Sequence, residues 1–265
     1  EAVTPADYDP YCITTPLDAR LPGGGGQQVC GLYDIKQEKF GKFADVWVQS
    51  SNFGKGTTRV SNFVTASVDA RVGSDIRLGG GVDTGRTVTD NCFVVDSPQA
   101  TRVVEVTAGV GERAVEQRYC HEVLGLLANL QVKFNGSFPL PGNFALSATL
   151  QNVAGEEIRA DYTATTAEIA PSLHRPLSGG RRTVSIPIIE PGTEFENRRT
   201  QVDLRLSRNF RVGSGSTTLQ ASLDLYNIFN ANTILGRNNT YGPAWGQPTS
   251  ILPGRMVQIG SRLTF

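Results

Sequence analysis

Long apolar runs are what this sequence most plainly lacks. No window approaches the roughly 18 consecutive apolar residues that a membrane-crossing helix needs, so no transmembrane helix is expected from the chain. Crossing by strands is left open, because barrel strands carry a far weaker signal per segment. A single Met among 265 residues, against 29 glycines, argues against a helical protein. With frequent Val, Thr and Phe it favours an all-β chain. Lys plus Arg equals Asp plus Glu at 25 each, so no net charge steers the chain toward nucleic acid. No basic segment followed by an apolar stretch opens it, so no secretory leader is read. The loop-like opening Glu1–Pro10 is expected of an internal piece of something longer.

Histidine is nearly absent: only His121 and His174. The four cysteines contain no Cys-x-x-Cys pair, so no zinc site is expected. They fall as two local pairs, Cys12 with Cys30 and Cys92 with Cys120, each bracketing a polar loop. Disulfides stapling exposed loops in an oxidising compartment are the simpler reading. Of the three possible pairings the local one is favoured, though sequence alone leaves it open.

What is present is alternation. In Met256–Phe265, Val257, Ile259, Leu263 and Phe265 share one face of a period-two pattern, and Gln258, Gly260, Arg262 and Thr264 share the other. Ser261 is the one polar residue on the apolar face. The same split recurs at Val64–Val72, Ile76–Val82, Leu124–Phe134, Phe144–Leu150, Val202–Leu206 and Leu219–Leu225. An earlier hairpin is expected over 44–53 and 57–63, and the strand at 144–151 is expected to continue through 156–166. Residues 1–43 read as loop. Three long polar segments, about 88–122, 168–196 and 230–252, alternate with tight turns at Gly73-Ser74, Phe138–Asn143 and Gly213-Ser214-Gly215. Short and long connections in alternation are the mark of an up-and-down transmembrane barrel.

Charge follows the same division. Asp69, Arg71, Asp75, Arg77, Asp83, Lys133, Asp203, Arg205, Asp224 and Arg262 fall on the polar side, with Arg208 the exception near a turn. A charge facing lipid at mid-depth costs about 2–4 kcal/mol, which would enforce this one-sidedness. Phe138 and Phe144 flank one tight turn, Phe210 precedes another and Phe265 ends the chain, so the four would lie at one interface as an aromatic girdle does. A soluble sandwich also alternates, but it does not account for the loop asymmetry or the girdle.

With the strands placed, several stretches resemble the C-terminal part of TonB-dependent outer-membrane receptors, in particular the Oar-like group with a carboxypeptidase-regulatory-like domain. They are Tyr11–Pro16 with Leu21–Gly26, Val29–Asp34, Gly85–Cys92, Asp224–Asn230, Asn239–Trp245 and Ile251–Arg255. Asp224-Leu225-Tyr226-Asn227-Ile228-Phe229-Asn230, ahead of a loop and a final Phe-ending strand, is the most specific. The resemblance covers nearly the whole chain. It implies a parent with a plug domain, a TonB-contacting segment and a barrel of about twenty-two strands, taking up a scarce ligand with energy passed on by TonB. Residues 1–265 would be its C-terminal barrel section, seven or eight membrane strands without the plug, the TonB-contacting segment or the earlier strands. Expected partners are outer-membrane lipid, those missing parts of the same parent, TonB and the barrel-assembly machinery, with no nucleic acid. Ile259, Leu263 and Phe265 would form the assembly signal. Arg77, Asp83, Lys133, Arg205, Asp224 and Arg262 would face the lumen. Location in the bacterial outer membrane follows from the same resemblance; the ligand does not.

Other motifs yield little. Gly80–Thr87 nearly spells a phosphate loop, but Arg86 stands where Lys is required and no helix follows. Its glycines are read as lining a wall that a plug or loop approaches. The histidines lie in no recognisable triad order. Glu156-Glu157 and Glu194 with Glu196 are read as solvated rather than as a glycosidase pair. Arg181-Arg182 and Arg198-Arg199 are read as solvated loop ends, with lipopolysaccharide contact as the alternative. Trp47, Trp245 and Tyr241 either stack on a ligand or anchor loops. No catalysis and no cofactor is expected. The rival readings are a self-contained eight-stranded barrel acting as an adhesin or structural protein, and a secreted all-β carbohydrate-binding module. The first requires the opening hairpin to pair with the last strand.

Overall fold

The computed structural model describes residues 3–42, 49–54, 56–73, 75–100, 118–213 and 216–265. The first 44–53 strand and Trp47 fall partly or wholly outside them, and Ser50–Phe53 is a 3-10 turn rather than a strand. The chain is all-β and antiparallel, in two parts: one large sheet and a layer built from the connections.

Seven strands follow one another as a meander: β3 (Thr58–Val72), β4 (Ile76–Asp90), β6 (Gln131–Leu140), β7 (Phe144–Val153), β10 (Arg199–Arg211), β11 (Thr218–Tyr226) and β14 (Met256–Thr264). An eighth, β5 (His121–Leu124), pairs only with the far end of β4. Register carries the sequence pattern across the whole sheet. Val82 faces Ala66 and Val132, Leu150 faces Phe134 and Val202, and Leu223 faces Leu206 and Ile259. One-residue slippage anywhere would throw a strand's apolar set onto the polar side, and no irregularity interrupts these six pairings. Among the described residues β3 and β14 each have one neighbour and do not pair with each other. The sheet is therefore open there.

Turn chemistry fixes the tight ends. Gly142 (φ 79°) and Asn143 (φ 63°) supply the left-handed backbone that turns β6 into β7, a conformation other residues adopt only with strain. Gly80 has a different purpose. A Cβ there would lie 2.4 Å from the Lys133 carbonyl oxygen of β6, and one at Gly81 2.5 Å from the Ala66 carbonyl oxygen of β3, so the neighbouring strands already crowd these positions. Phe63 breaks the binary pattern, lying on the polar side with its ring over Gly85.

The long connections are not loops. Cys12 and Cys30 sit inside paired strands, β1 (Tyr8–Thr14) and β2 (Gln28–Ile35), where a loop was expected. Asp161–Thr165 does not continue β7; it is β8, paired with β9 (Thr183–Pro187) and followed by a helix, Thr166–Leu173. Thr165 and Glu168 cap that helix reciprocally: Thr165 N–H donates to Glu168 at 2.7 Å, and Glu168 N–H to Thr165 Oγ1 at 3.3 Å. A third hairpin joins β12 (Ile234–Arg237) to β13 (Pro248–Ile251). The expected strand at 124–134 is likewise divided, because Leu126–Asn129 is one helical turn.

Tyr11, Ile13, Val29 and Leu32 from the first hairpin pack against Ala164, Val184 and Ile186 from the second and against Ile169 and Leu173 of the helix. Leu21, Ala160, Ile189 and Trp245 form a smaller cluster beside it. Every fully buried hydrophobic side chain among the described residues lies in a connection, and none lies in the seven-stranded meander. In a water-soluble domain a one-sided sheet would supply the core. Here Val64, Leu78, Phe134, Leu206, Leu223, Val257 and Ile259 are exposed on the sheet's apolar side, Ile259 to 84%.

Candidate functional site

The sheet offers two faces, and the strands position every charged candidate on one of them. Arg205 and Asp224 meet across β10 and β11 with nitrogen–oxygen distances of 2.5 and 2.9 Å. Asp83 accepts from the Thr65 hydroxyl. Lys133 donates to Gln131 at 2.7 Å rather than to Asp83, although the two sit diagonally on neighbouring strands. Arg77 stands opposite Arg71 and Ser137, and Arg262 opposite Gln220. Of the six candidates the structure joins only one pair. Asp75 lies in the turn before β4 rather than on the sheet.

Arg208 stays on the apolar side. Its guanidinium carbon lies 4.7 Å from the Phe144 ring centre and 4.8 Å from that of Phe210. The rings' negative faces offset part of the desolvation of that charge. Its row continues through Ala221 to Ser261, so the two polar exceptions lie in register. Sequence reading missed Arg86, which falls on the same side opposite Asn62, in the stretch of β4 that runs past the end of β6. Ile259, Leu263 and Phe265 are uncovered, Phe265 to 94%.

The connection layer engages half of the residues that were read as solvated. Asp34 is buried and accepts from Arg175 at 2.5 Å, from Arg181 and from the Ser178 N–H at 3.0 Å. Burial works against the Arg175 charge, but its bonds to Asp34 and Asp9 outweigh that and raise its pKa. Arg198 donates to the Leu127 and Leu130 carbonyls at 3.0 and 2.6 Å, closing the helical turn between β5 and β6. Glu196 pairs with Arg237 at 2.6 Å, both little exposed. Glu157 accepts from the Gly192 N–H at 2.6 Å. These groups are structural rather than solvated. Trp245 is buried and donates its indole N–H to the Arg159 carbonyl at 2.8 Å, so it anchors loops rather than offering a stacking face. Tyr241 packs against it and donates to Asp18. Hydrogen bonds from Arg20 hold the Asp18 carboxyl well below the usual range.

The two expected disulfides are both formed, Cys12–Cys30 and Cys92–Cys120. His121 pairs with Asp90 at 3.1 Å, and His174 ends the helix in a left-handed conformation. Among the described residues no group of His, Cys, Asp or Glu is placed to hold a metal.

A cavity of about 300 Å³ lies between the wall and the connection layer. The wall contributes one row across three strands: Arg59 on β3 faces Thr89 on β4, which faces Glu122 on β5. The layer contributes Glu157, Arg159 and Asp161, alternate residues of an extended segment. Sequence reading missed this cluster: the one local signal is the acid–base–acid alternation of Glu157, Arg159 and Asp161, and nothing in it names the residues across the cavity.

Against known proteins, no family profile matches the chain and no curated protein is significantly similar to it.

Proposed function

We propose that this chain is the C-terminal section of a TonB-dependent outer-membrane receptor, its seven long strands crossing the bilayer as part of a larger barrel. One observation carries the reading. Among the described residues no apolar side chain of the meander is buried and six of its seven strands expose a large one, while the buried core sits wholly in the segments outside it. Hydrocarbon is the second layer that such a sheet needs. The uncovered apolar area is far more than single scattered side chains, and patches of that kind mark a membrane or partner contact.

The other features take their places in that frame. Tight turns with Phe144 and Phe210 at one end form the periplasmic rim, and the Arg208 charge rests between those rings. The disulfide-stapled layer stands outside the cell, where the oxidising compartment suits it. The face bearing Arg77, Asp83, Lys133, Arg205, Asp224 and Arg262 lines the lumen. The free edges of β3 and β14 take the remaining strands of the parent. Uptake of a ligand, powered through TonB, belongs to that parent, and no bond-making step is assigned to these residues.

The test is partition. Produced without detergent, the chain should aggregate; with detergent it should elute as a discrete particle and insert into lipid vesicles with its connections open to protease from one side. A monodisperse, folded chain in plain buffer would favour the secreted module and sink the membrane reading.

A further inference from the structure

Two arginines in the cavity are uncommitted. Neither the Arg59 nor the Arg159 guanidinium has an ion-pair or hydrogen-bond partner among the described residues, although most arginines of the connection layer are engaged. Arg159 is also pre-positioned. Its N–H is held by Asn239 at 3.2 Å and its carbonyl by Trp245 at 2.8 Å, so its backbone cannot swing away. Glu157 is fixed through Gly192, and β5, which carries Glu122, starts directly after the Cys92–Cys120 staple. Charges of both signs therefore face one another across a space already built, which lowers the ordering cost of binding.

Chemistry narrows the ligand class. A volume of about 300 Å³ is at the lower end of small-molecule sites, and at about 30 Å³ per water it holds about ten non-hydrogen atoms or a few more. Among the described residues no aromatic ring lines it, and none there offers the stacking that recognises a sugar. Glu122, Glu157 and Asp161 would repel a phosphate dianion. Val123, Leu124 and Ile189 supply an apolar patch between the charged rows. We propose that this cavity binds a small zwitterion with an apolar body, of amino-acid or dipeptide size, its carboxylate on Arg59 and Arg159 and its ammonium toward Glu122 and Glu157. The inference deepens the receptor reading by naming a ligand class for its outer layer.

The full chain in detergent micelles, titrated calorimetrically with alanyl-leucine, tests it. N-acetyl-alanyl-leucine, alanyl-leucinamide and inorganic phosphate serve as comparison probes. Loss of a charge-assisted contact should weaken binding about tenfold or more. Both capped dipeptides should therefore bind at least that much more weakly than the parent. Arg159→Gln should weaken alanyl-leucine but make little difference to alanyl-leucinamide, which already lacks the carboxylate. Glu157→Gln should do the reverse, sparing the acetylated probe. Equal binding of capped and uncapped probes, no heat at millimolar dipeptide, or tighter binding of phosphate would each overturn the assignment. Should either variant misfold, shown by altered Trp fluorescence, the capping series on the unchanged chain decides. Dipeptide binding by a chain that needs no detergent would leave the cavity standing and remove the receptor reading; vesicle insertion without binding would do the opposite.

Discussion

Arg205 and Asp224 face each other directly across β10 and β11, the carboxylate almost wholly buried and the guanidinium side chain 56% exposed. The carboxylate is covered mainly by the arginine lying on it, so removing either partner opens the other to water. Arg205→Ala and Asp224→Ala should therefore destabilise by similar amounts. Solvent screening holds either loss to about 1 kcal/mol or less, below that of a fully buried pair. Urea unfolding in detergent of both single variants and the double variant gives the coupling; near-additive losses would mean that the bond contributes nothing.

A charge on the sheet's apolar side separates a bilayer from water by sign. Leu223 sits between Leu206 and Ile259 in mid-sheet. If hydrocarbon covers it, Leu223→Arg should cost about 2–4 kcal/mol of folding in vesicles, whereas Arg208→Gln, at the phenylalanine rim, should cost under about 1 kcal/mol. In water the Leu223 variant would be neutral or more soluble. Denaturant titration of vesicle-inserted protein reads the difference.

The strands of the meander were legible because one rule governs all of them. Period-two alternation set the faces of the strands, Phe63 and Arg86 apart, and the glycine and asparagine turns set the register, so residues such as Val82, Leu150 and Ile259 fell where expected. The connection layer was not legible, for an equally physical reason. Its strands are short, its buried positions are spread over distant segments, and Leu32, Ile169 and Ile186 become a core only when the first hairpin folds against the connection between β7 and β10. Local pattern could not show that Arg181 and Arg198 bond to groups far along the chain, or that Arg59 and Arg159 border one cavity. The two cysteine pairs were readable, since short separation favours local closure, but the strands that hold Cys12 and Cys30 were not.

That layer should behave as a unit distinct from the sheet. Ile186 is fully buried against residues of the first hairpin and the helix. Ile186→Ala should cost about 2–5 kcal/mol, and opening the Cys12–Cys30 bond, whose cysteines lie 18 residues apart, should cost about 3 kcal/mol. Both losses should appear as faster amide exchange and proteolysis across β1, β2, β8 and β9, with β10 and β11 unchanged. Equal loosening of the sheet would show a single cooperative unit.

Acid should act first on the same layer, through Glu168. Burial tends to raise this carboxyl's pKa, but hydrogen bonds from Thr165 and from the Tyr162 hydroxyl outweigh it and hold the value below the usual one. A depressed folded-state pKa means stability that is fully present above the ordinary carboxylate value near 4.5 and is lost as pH falls through the lower folded value. Protonation would weaken the half of the cap on Thr166–Leu173 in which the Glu168 carboxylate accepts from Thr165, leaving only the bond from the Glu168 N–H to Thr165 Oγ1. Circular dichroism and amide exchange from pH 6 down to about 3 should therefore show the helix fraying below the ordinary carboxylate range, and Glu168→Gln should already show part of that fraying at neutral pH. A helix equally protected at both ends of the titration would mean that packing of Ile169 and Leu173, rather than the cap, sets its stability.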